Sequence, residues 1–254
     1  MSNSETLIQN TQHAFLVAWG RFAEQIGLIQ QLQAVSLKQK HYHHRPQTRV
    51  LEFLVAILAG LQYLQEISLA AHPLEKDQAV AQAWGQPAWA DYSGVSRTLS
   101  ALSWEEVKRI VQALEQVSQP YLTAEVQALR SQGKRVRLDG DLTGIPVFNT
   151  SQTYPHAAFG HMDDDIRLGY QAGVVSLESP TYGRLWLSVA HHPGDTVSCT
   201  QAEALVLAAE ARLGLRPRRR TELLRQRIHA YEQQVAQTGK RLQRQQQAVK
   251  QAKQ

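Results

Sequence analysis

The sequence predicts an α+β fold in three segments. A helical domain takes residues 1–130, a small three-stranded sheet with one helix takes 131–215, and a long basic helix takes 216–254. Three observations predict this order. Apolar residues recur at helical spacing through the first segment. After Gly133 the texture changes to short β-branched and aromatic runs divided by turn residues. Beyond Pro217 the chain is rich in Gln, Arg and Lys, with an apolar residue at every seventh position.

In the first segment Leu7, Phe15, Trp19, Phe22, Ile26 and Leu32 form one apolar stripe at near-helical spacing. Arg49–Ala70 is apolar on most sides, which predicts a buried central helix. Asp91–Leu102 holds a Ser/Thr/Arg-rich short helix, either a packed connector or an element that reads DNA. Ser103-Trp-Glu-Glu106 has the form of a capping box, opening a helix with Val107, Ile110, Val111, Leu114 and Val117 on one face. Pro120 is expected to end or kink that helix, because it lacks the N–H that the helical ladder needs.

The strands are expected at Arg135–Leu138, Gly169–Leu177 and Arg184–Ala190, with Ser179–Gly183 as the turn between the last two. His191–Thr196 reads as a loop. Thr200-Gln-Ala-Glu203 then caps a helix that runs to Gly214. Three strands and a helix make a poor two-layer domain, so a fourth strand is expected, yet none follows. Instead, Pro217-Arg-Arg-Arg220 leads into a helix with Ile228, Val235, Leu242 and Val249 spaced every seven residues. The companion positions Leu224, Tyr231, Thr238 and Gln245 are weak, so this reads as half of a coiled-coil arm that needs a second arm.

Composition excludes several classes. The first residues lack a basic region followed by an apolar one, so no secretory signal is read. The longest apolar run, Val50–Leu64, is interrupted by Glu52 and Gln62 and falls short of the ~20 residues of a membrane span. One cysteine, Cys199, excludes an internal disulfide and a multi-cysteine zinc site. The expected compartment is the cytoplasm. The net charge is +5, but residues 216–254 carry eleven Lys/Arg and two Glu, so residues 1–215 sum to −4. Such segregation suits a nucleic-acid partner, or else a solvated helix face.

The residues with the most chemistry are Asp139 and Asp141, in Leu138-Asp-Gly-Asp-Leu-Thr143. On a strand, positions i and i+2 share a face, so the two carboxylates can converge. Two readings stand. The stretch is a turn whose carboxylates cap backbone amides, or it is a site for a hard divalent cation such as Mg²⁺.

Four stretches together resemble the amino-terminal part of a bacterial insertion-sequence transposase of the DDE class, with an RNase H-like catalytic domain. Arg49–Leu69 resembles the apolar helix of such amino-terminal domains. Tyr92–Leu102 resembles their Ser-Thr-x-Ser-Arg-x-Leu segment. Leu138–Thr143 resembles the first catalytic strand, where an Asp is followed by x-Thr. His192-Pro-Gly-Asp-Thr196 resembles the His-Pro-Gly-Asn loop after the third strand. The last two stand some fifty residues apart with a Gly-Tyr-Gln strand between them, and the match covers most of residues 45–215.

The resemblance implies three acidic residues holding two Mg²⁺ ions, with Mn²⁺ as substitute. Asp141 matches the first acid, with Asp139 as runner-up; the second and third have no counterpart, and Asp163, Asp164 and Asp165 fall in the wrong place. It implies double-stranded DNA, the transposon ends, as partner, and a nucleoid-associated bacterial protein with no membrane contact. A homo-oligomer or coiled-coil partner fits the terminal helix. Arg45, Arg49, Arg97, Arg218, Arg219 and Arg220 are the expected DNA contacts. Relatives with a helical arm before strand four make residues 217–254 resemble half of that arm, so the chain is expected to be a truncated transposase, inactive alone. The alternatives are a non-catalytic DNA-binding or regulatory protein built from the same parts, and an unrelated structural protein.

Three further stretches carry less. His41-Tyr-His-His44 cannot bring three imidazoles together from one element, and reads as a basic loop. His191 and His192 are expected at the rim of the site. Cys199 is expected to pack rather than react.

Overall fold

Helices come first and antiparallel strands follow, with the change of texture at Gly133 marking the passage between them. The structure is a computed structural model that describes residues 11–39, 43–147, 154–162, 164–214, 229–231 and 233–239. The fold is α+β, and the chain divides into two compact units, Met1–Pro120 and Tyr121–Gln254.

The first unit contains α1 (Ala14–Gln25), α2 (Leu28–Gln33), α3 (Pro46–Leu58), α4 (Glu66–Leu69), a 3-10 turn at Leu74–Lys76, α5 (Gln78–Ala83), α6 (Tyr92–Ser100) and the start of α7 (Trp104–Ser131). Its core gathers Leu16, Leu51, Val55, Ile67, Trp84 and Val95. The aromatic stripe of α1 is not part of that core. Phe15 is 71% exposed, Trp19 38% and Phe22 50%. The buried face is the small one, Leu16, Gly20 and Ala23. A Cβ on Gly20 would lie 2.6 Å from the Ala83 carbonyl oxygen, so only glycine lets α1 approach α5 this closely. The aromatic rings pack edge to face on one another, with centroids 5.8 and 6.2 Å apart.

The expected helix over Arg49–Ala70 is instead α3, α4 and a link between them. Pro46 stands in the first turn of α3, where its missing N–H costs nothing. Gly60, with φ of +75°, ends it in the left-handed conformation. The Glu66 carboxylate then accepts the Gln62 and Tyr63 N–H groups at 2.7 and 2.9 Å, which fixes the link. The capping box at Ser103 is present. Ser103 N–H and Oγ each donate to Glu106 Oε2 at 2.8 Å, and Glu106 N–H donates back to Ser103 Oγ at 3.3 Å. Pro120 does not end α7, which continues for eleven further residues to Ser131. Those residues bring Leu122, Val126 and Leu129 to a second core, and this packing outweighs the one lost helical bond.

Among its described residues the second unit holds four strands where three were expected: β1 (Leu138–Pro146), β2 (Ala158–Met162), β3 (Asp165–Ser179) and β4 (Gly183–Pro193). All pairings are antiparallel. β1 covers residues 169–177 of β3 on one side; β4 and β2 follow each other along the other side, over 170–179 and 165–169. β2 escapes sequence reading because it is five residues long and centred on Gly160. β1 begins where the expected first strand ends. Asp, Gly and Thr are weak strand signals, but β3 offers a full ladder, and Asp139 and Asp141 sit inside the strand rather than at its end. The helix after the sheet, α8 (Ser198–Arg212), starts two residues before the expected cap; Thr200 Oγ1 donates to the Val197 carbonyl instead. α8 sets Leu205 and Ala209 against Val175, Leu177 and Leu187.

Of the basic arm, residues 229–231 and 233–239 are helical, with Tyr231 and Val235 exposed. The other heptad positions, Thr238 excepted, lie outside the described residues. Among the described residues no helix is long and apolar enough to cross a membrane.

Candidate functional site

Asp139 and Asp141 pair with Ser176 and Val174 of β3, so both project from the same face of β1. Both are exposed. Their surroundings differ. Asp139 Oδ2 lies 3.2 Å from Arg184 Nη2 in an exposed ion pair, worth at most about 1 kcal/mol. Asp141 Oδ1 accepts the Leu142 N–H at 2.8 Å. The phase of the ladder explains that bond. Glu178 N–H donates to the Arg137 carbonyl and Val147 N–H to the Leu168 carbonyl. Odd-numbered residues of β1 therefore turn their backbone groups toward β3, and even-numbered ones turn theirs to the outer edge. Leu142 N–H is on that edge, and Asp141 covers it.

Asp141 also lines a shallow depression of about 350 Å³ with Thr143, His161, Met162, Gln171 and Thr196. The separate motif stretches of the sequence meet here: Asp141 and Thr143 from β1, Gln171 from β3, Thr196 from the loop after β4. Buried Gln171 donates through Nε2 to the His161 carbonyl at 2.9 Å and to the Gly194 carbonyl at 3.4 Å. A Cβ at Gly160 would overlap the Gly194 carbonyl, and a Cβ at Gly194 would overlap the Ala158 carbonyl. The glycine of the His-Pro-Gly-Asp stretch is thus required by the close passage of β2. Tyr170 rests on the His191 ring at 4.3 Å and donates its hydroxyl to the Pro155 carbonyl at 2.7 Å.

Among the described residues no group of three or more His, Cys, Asp or Glu side chains could hold a metal ion. One carboxylate with two threonine hydroxyls suits at most a single Mg²⁺ that keeps several of its waters. It does not suit two ions about 4 Å apart, whose mutual repulsion needs more carboxylates. Asp164 stands in the turn before β3 and Asp165 opens that strand, where it pairs with Arg167 at 3.0 Å; Asp163 lies outside the described residues. Sequence reading missed His161 because β2 was not legible. The signal for Gln171 was present: an amide within an otherwise apolar strand is buried only when bonded.

Arg45, exposed, precedes α3; Arg97, exposed, lies on α6. Half-buried Arg49 donates through Nη1 to Thr98 Oγ1 at 3.1 Å and so joins α3 to α6. Burial, then the Arg49 guanidinium and His43, lower the His44 pKa, with Asp91 opposing. Asp91 caps α6 by accepting the Gly94 N–H at 2.6 Å. That bond first, with Ser93, Arg97 and Arg49 adding to it, holds the Asp91 carboxyl below its ordinary range. Arg218, Arg219, Arg220 and His41 lie outside the described residues. His191 is exposed; His192 Nε2 is buried without a partner among the described residues. Cys199 falls in the first turn of α8.

No protein-family model, no curated protein and no solved structure gives a significant match to this chain.

Proposed function

We propose that this chain is a DNA-binding protein of the DDE-transposase type, with the Asp141 depression as its remnant or partial catalytic site. The observation that carries the reading is the meeting of the Asp-x-Thr, Gly-Tyr-Gln and His-Pro-Gly-Asp stretches at one depression. These stretches are far apart in sequence. β1, β3, β4 and α8 follow the expected order of strand, strand, strand, helix, with β2 as an additional strand between the first two. Arg45 and Arg97 supply phosphate contacts, which position DNA without reading its sequence.

The donor set limits the chemistry. If Mg²⁺ binds, Asp141 holds it, with Thr143 and Thr196 hydroxyls available to its water shell. A bound Mg²⁺ would polarise a phosphoryl oxygen. Asp139, the runner-up ligand on the same face, is shared with Arg184 in an exposed ion pair. Among the described residues no group of three or more metal-ligating side chains forms, and the proposal assigns no strand cleavage to this chain. The non-catalytic form, a DNA-binding or regulatory protein built from the same parts, is the alternative.

Gel-shift titration with duplex DNA and a nicking assay with Mg²⁺ or Mn²⁺ test it together. Expected are DNA binding weakened by Arg45→Gln and Arg97→Gln, and no nicking. Metal-dependent nicking lost in Asp141→Asn would overturn the non-catalytic form. Absence of DNA binding at low salt would sink the whole reading.

A further inference from the structure

Gln171 is 6% exposed on a strand whose same-face neighbours are Gly169, Gly173 and Val175. An apolar side chain would fill that place without desolvating an amide. The amide is instead engaged with two backbone carbonyls, those of His161 on β2 and Gly194 after β4. Gly194 lies one residue past the last β3–β4 pair, Tyr170–Pro193, so that ladder does not hold it. Two residues beyond Gly194 stands Thr196, and both His161 and Thr196 line the depression with Asp141.

We propose that Gln171 is a positioning residue of the candidate site, whose amide ties β2 to the Gly194–Thr196 loop and so fixes His161 and Thr196 beside Asp141. The inference rests on the reading of that depression as the ligand-binding site. It assigns Gln171 no contact with the ligand itself. Without the amide, two carbonyls lose their shared donor, and the Gly194–Thr196 loop loses its polar tie to β2, while the β2–β3 and β3–β4 ladders stay in place.

The test uses the full chain with Gln171→Met, similar in length and lacking the amide. Gln171→Glu takes its place if the first does not fold, and Asp141→Asn serves as the site control. Residue-resolved hydrogen exchange is read alongside Mn²⁺ broadening of the Thr143, His161 and Thr196 NMR signals. Amide exchange at 160–162 and 194–197 should rise about tenfold, the scale of one buried polar group losing its partner. Exchange across Val174–Leu187 should hold, and the Mn²⁺ concentration for half-broadening should rise about tenfold as well. Unchanged exchange in the two segments overturns the proposal. So does an increase spread evenly through the sheet, which would make Gln171 an ordinary core residue, or loosened segments with unchanged Mn²⁺ response. Absence of Asp141-dependent broadening in the unaltered chain overturns the metal reading instead, and the exchange pattern then decides the Gln171 tie by itself.

Discussion

Glu52 lies inside the helical unit with no solvent exposure. Its Oε2 accepts the Ala90 N–H at 2.8 Å, while Oε1 is buried without a partner among the described residues. Burial pushes its pKa up from 4.5 to about 8; the Ala90 bond opposes this, and Glu75 and Asp91 add to it. A raised carboxyl pKa gives stability that is full below 4.5 and is lost as pH rises through about 8. The stability of the helical unit should therefore slope downward between those limits. Denaturant unfolding followed by Trp84 and Trp89 fluorescence should show that slope, and Glu52→Gln should flatten it. Glu106 has the opposite sign. The Lys38 N–H at 2.7 Å, then the Ser103 N–H and hydroxyl, pull its pKa down to about 2. Its contribution is present above 4.5 and is lost as pH falls through about 2. Acid unfolding should shift to higher pH in Glu106→Gln, since a neutral amide accepts these bonds more weakly; an unmoved acid midpoint would count against the cap. Glu106 was legible in the sequence because a capping box is local, four residues long. Glu52 was not: its partner Ala90 stands thirty-eight residues away, and in the apolar run it showed only as an interruption.

At the scale of elements, α1 shows how a sequence pattern selects the wrong face. Phe15, Trp19 and Phe22 carry more apolar surface than Leu16, Gly20 and Ala23, so periodicity favours them as core. Packing chooses the smaller face because α5 comes close enough to exclude any side chain at Gly20. Leu16→Ala should cost about 2–5 kcal/mol, and Phe15→Ser no more than about 0.5 kcal/mol. Thermal unfolding of the two variants decides which face is core; the reverse order would restore the aromatic stripe to the interior. The strands were legible where β-branched and aromatic residues cluster, at Val174–Leu177 and Leu185–Val189. β1 was placed too early because its ladder with β3 runs through Asp139, Gly140, Asp141 and Gly144, which carry no strand signal of their own. The depression was half legible for the same reason. Asp141 and the His192–Thr196 stretch announced themselves, while His161 depended on a strand too short to read.

Over the whole molecule, charge is segregated: +9 in residues 216–254 against −4 in the remainder. DNA binding should follow that division. If four to six basic residues of the arm neutralise phosphates, the log–log salt slope should be roughly −4 to −5, at about −0.9 per phosphate. Deleting 216–254 should reduce the slope to the small part owed to Arg45 and Arg97; an unchanged slope would remove the arm from the interface. The outer edge of β1 bears on how copies of the molecule meet one another. Asp141 blocks one outward N–H with its own carboxylate, and it places a negative charge where another strand would dock. Such charges act as gatekeepers against edge-to-edge stacking. Asp141→Ala would therefore do two things at once, removing the candidate ligand and unblocking a rung for unwanted pairing. Light scattering should show Asp141→Ala forming aggregates on warming, with Asp141→Asn less prone because its amide oxygen can still cover the Leu142 N–H. Any loss of function in the alanine variant then has to be judged on protein shown to be monodisperse.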